Sequence, residues 1–213
     1  NILLNIKIME KIIKSYSPNL KISQNETIKK EVAEEAVKTL IRWIGDDPDR
    51  EGLVDTPKRV IKSFQEHFSG YLEDPEEILQ KTFEETENYN EMVLLKKIDF
   101  ESHCEHHMLP IIGNASIAYF PNKKIVGISK LARIVNVFSK RLQTQEIMTS
   151  QIINSIQKYL QPLGTAVLIE AEHHCMKTRG VFKKNSSMTT TQFTGCFLTD
   201  KSLQDRFLNL IGN

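Results

Sequence analysis

Apolar residues recur with helical spacing in the first third of the chain. Ile28, Val32, Ala36 and Leu40 stand at every fourth position, with Ala33, Val37 and Ile41 beside them, the stripe of an amphipathic helix. Ser23-Gln24-Asn25-Glu26 fits a capping box at its start, and Gly45-Asp46-Asp47-Pro48 ends it. A second helix is predicted over 57–68, because proline suits a first helical turn and Thr56 or Asp55 can cap it; Gly70 stops it. Residues 71–90 are acidic and hold Pro75, which predicts a loop with a short helix.

The pattern changes after residue 90. Segments 92–100 and 114–120 read as strands joined by a long loop, and 129–141 and 144–160 read as helices. Segment 164–172 alternates as a strand, the Thr-rich run 188–198 suits a strand by propensity, and 202–211 is a closing helix. Helices followed by β-β-α-α-β-β and a helix predict an α+β fold with an antiparallel sheet. The organisation expected is an arm over 1–25, a helical region over 26–90 and a sheet domain over 91–213.

Composition narrows the function. The 213 residues carry 28 basic and 27 acidic side chains, a net charge of +1. That balance gives no overall field for nucleic acid or an anionic membrane, so a phosphate site has to be a local cluster of cations. No apolar run approaches the ~18–20 residues of a membrane span. The apolar stretch at residues 1–9 is followed by no small-residue cleavage site, so it is not read as a secretory signal. Three cysteines point to a reducing compartment, hence a cytoplasmic protein, rather than a disulfide scaffold.

Five of the six histidines fall in two short segments, Ser102-His103-Cys104-Glu105-His106-His107 and Glu172-His173-His174-Cys175, which also hold two of the three cysteines. Thiolates and imidazoles are the ligands of tetrahedral zinc. Cys104 and His107, three apart on a turn, can reach one ion, and Cys175 on a strand end supplies a third ligand. Three protein ligands leave a position for water, whose pKa the ion lowers towards neutrality. His106 and His173 flank ligands and suit general acid and base work near pH 7. Spacing leaves two alternatives: a closed structural zinc with His106 or His173 as fourth ligand, and surface histidines without metal. Cys196, with no histidine beside it, reads as a small core residue in the last strand.

Other residues gain meaning only beside this cluster. Lys130 and Arg133 share a face at a helix start, a place that suits phosphate. Lys177 and Arg179 closely follow Cys175, and Arg59 and Lys62 share a face of the second helix; each pair alone is more often a solvated helix face. Glu146 in Gln143-Thr144-Gln145-Glu146 can pair with N1–H and the 2-amino group of guanine, or serve only as an acid at a helix N-terminus.

Taken together, Cys104-Glu105-His106-His107, Gln143-Thr144-Gln145-Glu146, the run from His173 to Gly180 and Gly52-Leu53-Val54-Asp55-Thr56-Pro57-Lys58-Arg59-Val60 resemble the GTP cyclohydrolase I family over about residues 26–212. The resemblance implies zinc held by Cys104, His107 and Cys175, and attack of activated water at C8 of the guanine of GTP. It implies proton transfer by His106 and His173, a guanine anchor at Glu146 with Gln145 beside it, and Ser129 near the ribose. Lys130, Arg133 and Arg179, with Arg59 and Lys62, match triphosphate contacts. It further implies the tunnelling fold, an antiparallel sheet backed by two long helices, assembled as a decamer of two pentamers with active sites between subunits. The product implied is 7,8-dihydroneopterin triphosphate, and no phosphoryl transfer is involved. Ile147 and His103 depart from the usual pattern. Rival readings are a pterin synthase, which needs three zinc histidines, a nitrile reductase, which needs a lone catalytic cysteine, and a non-enzymatic module with a structural zinc.

Overall fold

A computed structural model describes residues 28–80, 82–83 and 89–212. The predicted arm and the capping box at Ser23–Glu26 lie outside the described residues. The chain divides into two compact units, Asn1–Lys62 and Ser63–Asn213.

In the first unit, α1 (Lys30–Trp43) buries one of the two apolar rows and exposes the other. Ile41 is buried and Ala33 and Val37 are half-buried, whereas Ile28, Val32 and Leu40 are exposed. The turn that follows is fixed by Arg50, whose Nε and Nη2 donate to the two Asp46 carboxylate oxygens at 2.8 and 2.9 Å. Helix α2 (Thr56–His67) runs across the division between the units.

The second unit begins with a 3-10 turn (Ser69–Leu72) and α3 (Pro75–Leu79), which Asp74 caps by accepting from the Glu76 amide. A short strand β1 (Thr82–Phe83) pairs with β4 (Ile125–Val126). The main sheet is built from β2 (Val93–Cys104), β3 (Pro110–Phe120), β5 (Leu142–Gln143), β6 (Gly164–His173) and β7 (Met188–Gly195), in the order β5-β2-β3-β6-β7. Strands β2, β3, β6 and β7 are antiparallel, as predicted, while the two-residue β5, which periodicity did not reveal, lies parallel to β2. Helices α4 (Ile128–Ser139) and α5 (Gln145–Tyr159) back one face of the sheet. Leu131, Ile134, Val135, Met148, Ile152 and Ile156 pack there on Phe100, Ile111, Ile117, Val167 and Ile169. Each such side chain contributes about 1.5–3 kcal/mol by leaving water. After the four-residue α6 (His174–Lys177) and β7, α7 (Cys196–Thr199) and α8 (Lys201–Gly212) cover part of the opposite face, with Phe197 and Phe207 packed near Ala118 and Ala166.

Three sequence expectations change. The long loop expected between the first two strands is a short turn, because β2 extends to Cys104 and β3 starts at Pro110. Cys196 opens α7 instead of lying in β7. Cys175 sits in α6, just beyond the strand end.

Candidate metal centre

Strand β2 carries one extra residue relative to β3: Leu95 pairs with Ile117, but Ile98 pairs with Ala115. A strand alternates faces residue by residue, so one inserted residue exchanges the two sets. Val93 and Leu95 face the helices before the bulge, and Ile98, Phe100 and Cys104 face them after it. The bulge thus decides that Cys104 points to the helix-backed side. Lys97, at its centre, takes the left-handed φ of +58°.

The turn after Cys104 is tied down from three directions. The amides of His107 and Met108 donate to the Cys104 carbonyl at 3.3 and 2.8 Å, and the Cys104 amide donates to the Leu109 carbonyl at 2.9 Å. From β5, the Gln143 carbonyl accepts from the Glu105 amide at 3.0 Å. Strand β5 is held in turn by the 3-10 turn: Arg141 Nε and Nη2 donate to the Gly70 carbonyl at 3.1 and 2.8 Å, and the Tyr71 hydroxyl donor-acceptor oxygen accepts from the Leu142 amide. A Cβ at Gly70 would collide with the main-chain carbonyls of Val137 and Lys140, so this clamp requires glycine for close approach.

Strand β6, paired with β3, brings the distant segment alongside: Ile111 pairs with His173. Candidate ligand atoms of Cys104, His107 and Cys175 then lie within 4.8 Å of one another, the one such group found among the described residues. Cys104 Sγ is 3.9 Å from His107 Nδ1 and 3.7 Å from His106 Nδ1. An ion bonded at about 2.3 Å to sulfur and about 2.0 Å to nitrogen spans a 3.9 Å pair, so the donors fit a tetrahedral cation. Two thiols and an imidazole are soft to borderline donors, which disfavours magnesium or calcium. Burial, then the neighbouring Cys104 thiol, pushes the Cys175 thiol above its usual range. All three cysteines are free thiols.

The remaining predicted residues divide into those near this group and those elsewhere. His106 is exposed, with Nε2 3.8 Å from Glu105. Arg179 Nη1 donates to His107 Nε2 at 2.8 Å, which places one predicted phosphate cation beside a ligand. His173 is half-buried, and its Nε2 lies 2.8 Å from Gln145 Oε1. Burial lowers the His173 pKa, and the Glu146 carboxylate opposes that shift. Glu146 is exposed, while Gln145, one position earlier, is fully buried. Thr144 caps α5 by accepting from the Ile147 amide, which sets this alternation at the helix start. Ser129 is exposed in the first turn of α4, and Lys130 and Arg133 line a cavity of ≈ 590 Å³ with Glu77, Ile78 and Gln80. None of the three ligand residues lines that cavity. Arg59, paired with Asp55 at 3.3 Å, and Lys62 are exposed residues of the first unit. Sequence reasoning missed Thr149 and Thr190, which surround Gln145; the Thr-rich run was the available signal, but it was read only as strand propensity.

Comparison with known proteins gives consistent matches over most of the chain. The family model described as GTP cyclohydrolase I matches residues 33–212. A GTP cyclohydrolase 1 of Hyphomonas neptunium is 59% identical over 180 residues, covering 84% of this chain and 87% of that one. One of Allorhizobium ampelinum is 52% identical over 205 residues, covering 96% and 100%. Among solved structures, the archaeosine synthase QueF-Like in its apo form aligns with a TM-score of 0.42 at 15% identity, over 49% of this chain and 93% of that one.

Proposed function

The chain belongs to the GTP cyclohydrolase I family, and from that membership we propose how its residues divide the reaction. The activity is hydrolytic opening of the guanine imidazole ring of GTP at C8, with release of formate and formation of 7,8-dihydroneopterin triphosphate on the route to pterins and tetrahydrofolate. The metal is zinc, held by Cys104, His107 and Cys175, and it supplies Lewis-acid activation of water at neutral pH. The observation that carries this reading is the convergence of those three donors within 4.8 Å from segments about seventy positions apart in the sequence.

His106 and His173 stand next to the ligands and exchange protons with the opening ring and the departing formate. Glu146, exposed and close enough to oppose the lowering that burial imposes on the His173 pKa, accepts from the N1–H and 2-amino group of guanine. Ser129 meets the ribose. Lys130, Arg133 and Arg179, with Arg59 and Lys62, hold the triphosphate, which serves as a handle and is not transferred.

The working unit is a homo-oligomer, a decamer of two pentamers with active sites between subunits. Two features support this. The cation pair Lys130 and Arg133 lines a cavity that none of the metal ligands lines, and β7 is an edge strand that a neighbouring copy can pair. The compartment is the cytoplasm, in keeping with three free thiols; no helix of the described residues is long and apolar enough to cross a membrane.

The decisive experiment joins metal content to product. Protein as purified is expected to contain zinc by elemental analysis and to convert GTP to a product with the mass of dihydroneopterin triphosphate plus formate. Chelation should remove both the metal and the conversion. Conversion that survived complete metal removal would refute the assignment.

A further inference from the structure

Gln145 is fully buried and spends every polar atom of its side chain inside the protein. The two hydrogens of its Nε2 meet three acceptors, one hydrogen being shared: the main-chain carbonyls of Ile169 at 3.1 Å and Met188 at 3.0 Å, and Thr190 Oγ1 at 3.2 Å. Carbonyl oxygens only accept, so the amide cannot be turned over without setting its own oxygen against two others. The hydroxyls agree with this sense. Thr149 donates to the Gln145 carbonyl at 2.7 Å, so its hydrogen is used. Thr190, 2.7 Å from Thr149, must then donate to it, and the Thr190 oxygen is left to accept from Gln145. The chain of donors has one direction, Thr190 to Thr149 to the Gln145 main chain.

The consequence falls on His173. Gln145 Oε1 is fixed as an acceptor 2.8 Å from His173 Nε2, so that nitrogen must carry the hydrogen. We infer that Gln145 is a positioning residue that locks His173 in the Nε2–H tautomer, with Nδ1 as the nitrogen that bears no hydrogen in the neutral ring. The same contact fixes the ring plane, because Gln145 is anchored to β6 and β7 and cannot follow a turning imidazole. A buried glutamine with this bonding does not touch substrate. The Glu146 carboxylate, one residue on and exposed, is the only charged group of this helix start available to it.

The functional meaning of the lock rests on the proposed role of His173 in proton transfer, but the tautomer is measured without turnover. Magic-angle-spinning nitrogen spectra of the intact, metal-loaded assembly labelled with ¹⁵N-histidine, at mildly alkaline pH, separate the two neutral tautomers; a His173→Asn spectrum identifies the signal. The expected result is a single Nε2–H form. An Nδ1–H form, or averaging between the two, overturns the inference with no other variant needed. In Gln145→Met the tautomers should mix, and kcat should fall by roughly 10–100-fold, by analogy with the partners that orient metal-bound imidazoles, with KM and zinc content near those of the parent. A raised KM with kcat and tautomer unchanged would make Gln145 a substrate contact and overturn it as well. If His173→Asn retained full turnover while the parent showed the Nε2–H form, the lock would stand and the role of His173 in proton transfer would fall.

Discussion

Glu146 and Gln145 are neighbours with opposite fates, and the cause is the helix start they share. With Thr144 as cap, one side chain turns into the sheet and the next out to solvent. Replacing Glu146 by Gln keeps the shape and removes the charge that two guanine N–H groups would meet. A charge-assisted hydrogen bond is worth about 1.5–3 kcal/mol, so kcat/KM for GTP should fall by roughly 10- to 150-fold while metal content stays at the parent level. Steady-state kinetics with elemental analysis checks both, and an unchanged kcat/KM would remove Glu146 from base recognition. Cys175→Ser is expected to lose metal and pterin formation together, because a hydroxyl is a poor substitute for a thiolate on the proposed zinc. The group that could hold a metal was legible in the sequence because histidine and cysteine crowd into two short segments. The bonding of Gln145 was not, since its partners come from β6 and β7, 24 to 45 positions away.

At the scale of elements, the metal centre depends on two local devices that no periodicity announces. The first is the bulge in β2, where Lys97 holds φ of +58°. A left-handed conformation costs a side-chain-bearing residue about 1–2 kcal/mol, more for a β-branched one. Lys97→Gly should therefore be neutral or stabilising, and Lys97→Val should destabilise by about 1–2 kcal/mol, as read from denaturant unfolding; equal stability of the two would show that the bulge is not held in that conformation. The second device is the clamp of Gly70 on the α4–β5 junction. Gly70→Ala overpacks that contact against main-chain atoms, for which about 1–3 kcal/mol is expected. The sequence marked Gly70 only as a helix stop, because what requires glycine there is a carbonyl some seventy residues further on. The turn after α1 adds a pH signature. Hydrogen bonding from Arg50 holds the Asp46 carboxyl from an ordinary 3.8 down to about 2. A carboxyl lowered on folding stabilises the native state above 3.8 and loses that contribution as pH falls through about 2. Asp46→Asn should thus be less stable than the parent at neutral pH, with the gap closing as pH falls from 3.8 through about 2, which unfolding curves across that range would test. The strands and both long helices were readable from alternation and 3.6-residue spacing, whereas a two-residue strand such as β5 carries too few positions to show a period.

For the molecule as a whole, the question is whether one chain holds a complete site. The metal ligands and the cation pair Lys130 and Arg133 lie in the same unit, yet they do not line a common cavity. Strand β7 ends the sheet, so in the proposed assembly a second copy that paired there would bring its cations towards the first copy's candidate metal ligands. If sites are shared, two dead variants repair each other. A chain with Cys175→Ser keeps intact cations, and a chain with Lys130→Ala and Arg133→Ala keeps an intact metal centre. Unfolded together and refolded at equal amounts, they should regain roughly a quarter of the parent activity, since a site needs one good chain at each of two positions drawn at random. Light scattering on the same sample should give a mass well above the 24.5 kDa of one chain. Each variant alone stays inactive in this scheme, so recovered turnover cannot come from either parent chain. A mixture no more active than its components, with the assembly intact by mass, would place the metal and the phosphate cations of every site within a single chain.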